Sequence, residues 1–182
     1  MPTPFITEAD VVDYLGRGDA ADPGITIAVG SACDIVRALT EQAFNQVIGG
    51  TAVLDGTGTD ALLLPQLPVT AAGTVTVNGD AVTDYTLSSN GILYRGGSIG
   101  DACSSAWPSG RQNITVTYDH GYADDEVPLD VCMVALAIAA RLVVQGPLKS
   151  ETIGQVSATY AVAATDLTVG EKAILSKYRV TR

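Results

Sequence analysis

The stretch 131–144 constrains this chain most. Val131, Met133, Val134, Leu136, Ile138, Leu142 and Val143 spread over most of a helical circumference, and Arg141 is the only charge among them. A helix that is apolar nearly all round must be buried on most faces. The run is too short to span a bilayer. It predicts a helix over 128–145, stopped by Gly146 and Pro147, at the centre of a helical core that neighbouring subunits can complete.

Such a helix needs apolar partners, and the sequence offers them at both ends of the chain. Asp22 before Pro23 is a start signal, and Ile25, Val29, Ala32, Val36, Leu39 and Ala43 then recur at helical spacing, with Asp34, Arg37 and Glu41 off the stripe. Thr7 and Asp10 predict a cap for a short helix over 8–15, ending near Gly16 and Gly18. Thr168 and Glu171 form a capping box that opens a short terminal helix carrying Ala173, Ile174, Leu175 and Tyr178.

Between the second and third helical patterns the period changes. The runs 51–55 and 61–64, separated by a Gly/Thr-rich pentapeptide at 56–60, predict a hairpin. Pro65 and Pro68 break the chain, and strands follow at 74–77, 85–87 and 92–94 with turns at Asn78-Gly79 and Asn90-Gly91. The segment 96–110 is expected as a polar loop containing Trp107, and 113–118 as the closing strand; 155–162 also looks extended. The fold class is therefore α+β. Three main helices and a short C-terminal helix make one domain over 1–182, interrupted by an antiparallel β insertion at 45–118 whose ends must return close together.

The 182-residue chain carries a net charge of −10, which disfavours a phosphate-tracking nucleic-acid binder. Charge is uneven: 1–110 holds 12 acidic and 3 basic side chains, whereas 172–182 holds Lys172, Lys177, Arg179 and Arg182 and no acid. That basic tip reads either as a solvated helix end that suits the helix dipole or as a docking surface for an acidic partner. Cys33, Cys103 and Cys132 match neither a disulfide framework nor a zinc pattern, which points to reduced thiols. The N-terminal decapeptide lacks the basic and apolar regions of a signal peptide, so a soluble protein made in the cytoplasm is expected.

Candidate chemistry is sparse. His120 is the only histidine; Asp119, Asp124, Ser104, Ser105, Ser109 and Cys103 supply the types needed for a triad or a Cys-His pair, but no nucleophile-elbow pattern surrounds them. His120 reads more simply as a loop histidine at a strand end. Asp119, Asp124, Asp125 and Glu126 form the densest carboxylate cluster, without EF-hand spacing. The glycines at 56 and 58 lack the Gly-Lys-Ser/Thr ending of a phosphate loop. No catalytic residue, metal site or cofactor is expected.

Several segments in order resemble the phage head–tail connector, or head-to-tail adaptor, family. They are the helix pair at 6–15 and 23–44, TAVLDG at 51–56, LLLPQLPV at 62–69 leading into VTVNG at 75–79, DYTL at 84–87 and GILYR at 91–95. Beyond them come Trp107-Pro108, ITVTYDHGY at 114–122, Val127-Pro128 with the Ala-rich helix, and LTVGEKAILSKYR at 167–179. The resemblance implies a non-enzymatic structural protein of the virion neck, a ring, commonly dodecameric, that joins the portal to a stopper or tail-completion protein. DNA would pass through its channel without specific binding, and an acidic subunit suits a channel that repels phosphates. Family members engage the portal partly through their C-terminal region, which makes Lys172, Lys177, Tyr178, Arg179 and Arg182 the candidate docking residues, so deletion of 172–182 is expected to abolish attachment and spare the fold. The alternatives are a tail-terminator or capsid-decoration protein, or a hydrolase using His120.

Overall fold

The computed structural model describes residues 2–16, 18–96, 105–123, 125–145 and 165–180, together with the backbone of 150–153 and 156–159. The helices are α1 (Glu8–Leu15), α2 (Pro23–Thr40), α3 (Leu129–Gln145) and α4 (Val169–Ser176). The strands are β1 (Val47–Gly56), β2 (Ala61–Leu63), β3 (Val69–Val77), β4 (Asp80–Val82), β5 (Tyr85–Leu87), β6 (Ile92–Arg95), β7 (Gly110–His120), β8 (Ser150–Ile153) and β9 (Val156–Thr159). The class is α+β. Two compact units divide the chain: 1–42 with 126–182, and 43–125.

The first unit is helical. Thr7 caps α1 by accepting from the Asp10 amide at 3.2 Å while the Asp10 carboxylate accepts from the Thr7 amide at 2.7 Å. Asp22 caps α2 through the Gly24 amide at 2.8 Å, with Pro23 in the first turn where its missing N–H costs nothing. The α2 helix stops at Thr40, a turn earlier than its apolar stripe suggests. The Thr40 hydroxyl bonds back to the Val36 carbonyl at 2.8 Å, and Glu41 takes a left-handed conformation with φ 58°. Val29, Ala32, Cys33 and Val36 of α2 and Val131, Val134, Ala135, Ile138 and Ala139 of α3 are buried, with Phe5, Ile6, Val11 and Leu175. Each fully buried Val or Ile contributes about 1.5–3 kcal/mol, so this row of β-branched residues holds the two helices together. The expected stop at Gly146-Pro147 lies outside the described residues. Of the expected extended segment, 156–159 is β9, paired antiparallel with β8; its remaining residues are not described.

The second unit is β. One sheet runs in the order β1-β7-β3-β4 and the other β2-β6-β5, every named pair antiparallel. The predicted hairpin of 51–55 with 61–64 does not form. β1 pairs with β7, with Ala52 opposite Val116 and Leu54 opposite Ile114, and β2 pairs with β6. The reason lies in the linker. At Gly56 a Cβ would stand 1.7 Å from the Pro108 carbonyl, so only glycine permits this crossing. The carbonyls of Thr59 and Asp60 then accept from the Trp107 and Arg95 amides, both at 2.8 Å, rather than closing a turn. Asn78 and Gly79 (φ 52° and 92°) do make the expected turn, but it joins β3 to the short β4, ahead of the strand at 85–87. Asn90-Gly91 lies in the turn between β5 and β6.

Trp107 lies in the irregular segment 105–109, as expected, but it is not solvent-exposed. It is fully buried with Leu64, Leu93, Ile114, Val116 and Tyr118, in a core drawing on strands of both sheets. Its indole N–H donates to the Leu93 carbonyl at 3.0 Å, and the Arg95 guanidinium lies 5.2 Å from its ring. A buried indole needs such an acceptor, and β6 supplies it.

Candidate functional site

Of the residues that suggested hydrolytic chemistry, Asp119, His120, Ser105 and Ser109 are among those described. His120 ends β7 with 7% exposure, beside Tyr118 at 5.0 Å between ring centres. A Cβ on Gly50 would lie 2.8 Å from its Nε2, so the glycine makes room for the ring. Its Nδ1 has no hydrogen-bond partner among the described residues, and burial lowers its pKa against the opposing pull of Asp119. It is thus a neutral core side chain rather than a loop residue. The Asp119 carboxylate accepts from the Gly49 amide at 2.7 Å, which occupies it in β1–β7 pairing. Cys103, Ser104 and Asp124 lie outside the described residues. Among the described residues no three His, Cys, Asp or Glu side chains are grouped to hold a metal. Burial also pushes the Cys33 and Cys132 thiols up, so both remain protonated.

The basic C-terminal tip has a defined architecture. The α4 helix starts at a capping box: the Thr168 hydroxyl accepts from the Glu171 amide at 3.2 Å, and Glu171 Oε2 accepts from the Thr168 amide at 2.7 Å. Arg141 of α3 grips the same carboxylate with its two terminal guanidinium nitrogens, Nη1 at 2.8 Å and Nη2 at 3.2 Å, and Nη2 also donates to the Asp166 carbonyl at 3.2 Å. Burial alone would raise the Glu171 pKa; the bonds from Arg141 and Thr168 outweigh it, and the net direction is down. Arg141 explains why one charge interrupts the apolar third helix. It is the anchor for the terminal helix, a role its isolated position in the sequence did not reveal.

The five predicted docking residues then separate. Tyr178 donates its hydroxyl to Asp130 at the start of α3, at 2.7 Å, so it is an internal tie. Arg179 is exposed and pairs with the equally exposed Glu41 at 3.1 Å. Lys172 and Lys177 are exposed. Arg182 lies outside the described residues. Lys172, Ser176 and Arg179 border a groove with Leu39, Leu167 and Leu175, of about 130 Å³. Ligand pockets run from about 300 Å³ upward, so the groove fits a side chain rather than a cofactor. Because α4 carries the buried Leu175, deletion of 172–182 removes core as well as charge. Point substitutions, which leave Leu175 in place, are therefore the cleaner probe of the expected docking role.

Neither a protein-family model nor a curated protein matches this sequence. Solved structures do. A chain in the neck of an empty GTA particle, computed with C6 symmetry, matches with TM-score 0.60 and 16% identity over 97% of this chain and 90% of that one. A chain in the neck of the native particle, computed with C12 symmetry, matches with TM-score 0.59 and 14% identity over 96% and 88%. A chain of the native gene transfer agent virion gives TM-score 0.58 and 16% identity over 97% and 90%. At such identities the likeness establishes a shared fold along nearly the full chain.

Proposed function

We propose that this chain is a structural protein of a phage-like neck, a subunit of a ring-forming adaptor that joins the portal to the stopper or tail and lets DNA pass through its channel. The observation that carries this reading is the near full-length fold shared with chains of neck assemblies computed with C6 and C12 symmetry. The ordered series of segments that resembles head–tail connectors supports it independently. A non-enzymatic role accords with a buried His120 and with the placement of Asp10, Asp22 and Glu171 in helix caps and of Asp119 in strand pairing. The single connector domain would comprise the helical unit and the β unit between its two chain segments. Lys172, Lys177 and Arg179 are the residues assigned to portal docking, since Tyr178 is engaged internally.

Native mass and negative-stain images of the purified protein, alone and with its cognate portal, test this. Closed rings with a central hole, in either sample, are the expected result. A monomer at every concentration that also leaves the portal unaltered would overturn the adaptor reading.

A further inference from the structure

One member of the apolar stripe of α2 is left uncovered. Val29, Ala32 and Val36 are buried, whereas Leu39, one turn further on, is 44% exposed. It forms part of the apolar lining of the groove beside α4, with Leu167 and Leu175, and Lys172, Ser176 and Arg179 are the polar border. A cavity of about 150 Å³ is enough for a benzene ring. The groove, at about 130 Å³, therefore takes one side chain the size of leucine or phenylalanine. Filling it would remove the uncovered surface of Leu39 from water, which is favourable.

The polar border specifies what else an occupant carries. Lys172 joins no ion pair among the described residues, and Glu171 beside it is already taken by Arg141. Arg179 meets the exposed Glu41, a contact that water and salt weaken. The Ser176 hydroxyl donates to the Ala173 carbonyl at 2.8 Å, so toward the groove it offers only lone pairs, which suit an N–H. Two available cations around an apolar floor are unusual on a chain of net charge −10. An acidic segment is repelled by most of such a surface and attracted here. Lys177 does not line the groove and contributes only longer-range attraction.

We infer that the groove binds an internal segment of the portal in which one leucine-sized apolar side chain is flanked by carboxylates. The apolar side chain enters between Leu39 and Leu175, a backbone N–H of the segment meets Ser176, and the carboxylates meet Lys172 and Arg179. This inference rests on the portal-docking reading above and deepens it, because recognition then depends on one filled pocket as well as on charge. An anchor side chain in a pocket, ringed by polar contacts, is the form that docking hot spots take.

Two measurements on the full chain test it. In co-sedimentation with portal, Ser176→Trp, which fills the groove from an exposed position, should weaken binding at least tenfold with an unchanged far-UV circular dichroism spectrum. Lys172→Ala, a truncation at the surface that does not burden the fold, should weaken it roughly threefold, and Lys177→Ala should weaken it less. In direct titration, the terminally blocked peptide GEELEEG should bind saturably to the wild-type chain and fail to bind Ser176→Trp. The peptides GEEAEEG, without the apolar side chain, and GKKLKKG, with reversed charge, should not bind. Equal binding of GEELEEG and GEEAEEG, or portal binding by Ser176→Trp and Lys172→Ala at the wild-type level, would overturn the groove and leave the portal reading standing. Peptide binding as expected by a chain that never sediments with portal would retain the groove chemistry and refute the portal as its occupant. Failure of both measurements would refute the two together. Rings broken by Ser176→Trp while portal binding persists would mean that a second copy fills the groove, and would also overturn the inference.

Discussion

Replacing Arg141 by Met should release the terminal helix while leaving the rest of the fold in place. The magnitude follows from what holds α4. An eight-residue helix is unstable alone in water, so its docking must come from contacts. Burial of Leu175 supplies about 2 kcal/mol and the Thr168 cap about 1 kcal/mol. Removing one member of a buried ion pair costs about 3–5 kcal/mol. The Arg141 and Glu171 side chains retain 17% and 12% of their exposure, which favours the lower end of that range. Arg141→Met therefore removes about as much as the other two contacts supply together. Hydrogen exchange in α4 should accelerate by roughly two orders of magnitude, since about 1.4 kcal/mol is tenfold, with little change in α2 or α3. Replacing Glu171 by Met as well should restore much of the protection, because no uncompensated charge is then left against α3. Unchanged α4 protection in the single variant, or a double variant no better than the single one, would refute this account. Acid should act the same way. The Glu171 pKa is lowered in the folded state, so its stabilisation is present above the unfolded carboxyl value and is lost as pH falls through the folded one.

Reversing charge at the tip (Lys172→Glu with Lys177→Glu) should weaken portal co-sedimentation at least tenfold while far-UV circular dichroism stays unchanged; wild-type binding would remove these lysines from the docking surface. His120 has a lowered folded pKa, so its contribution to stability is complete above the unfolded histidine value near 6.5 and declines as pH falls below it. His120→Gln should flatten that limb of a denaturation-against-pH curve. Gly121→Ala should destabilise the β unit by more than about 1 kcal/mol, through a positive φ of 89° and a Cβ placed 2.2 Å from the Asn45 carbonyl oxygen; a melting temperature equal to wild type would contradict the backbone geometry.

The helices were legible because their signals are local. Thr7 with Asp10, Asp22 with Pro23, and Thr168 with Glu171 each announce a helix start within a few residues, and the structure forms all three caps. The Asn-Gly turns were equally local. Strand pairing was not. The partner of β1 is β7, more than fifty residues away, and nothing within 51–64 distinguishes that pairing from a hairpin with 61–64. What decides it is the Gly56 approach to Pro108, a contact between distant backbones. The burial of Trp107 was hidden for the same reason: its surroundings in sequence are Ser, Pro and Gly, but its acceptor is the distant Leu93 carbonyl on β6.

The same distinction bears on the candidate site. Basic composition picked out 172–182 as a unit, but hydrogen bonding divides it. Tyr178 and Leu175 face inward, while Lys172, Lys177 and Arg179 remain outside. An exposed pair such as Arg179 with Glu41 is worth about 0–1 kcal/mol, so Arg179 can exchange Glu41 for an acidic partner at almost no cost. The buried anchors fix where the helix lies, and the weakly held cations determine what it can meet. A terminal helix secured by Arg141 and Leu175 can thus carry a labile charged surface without unfolding when a partner takes it. That separation suits the docking role proposed for these cations.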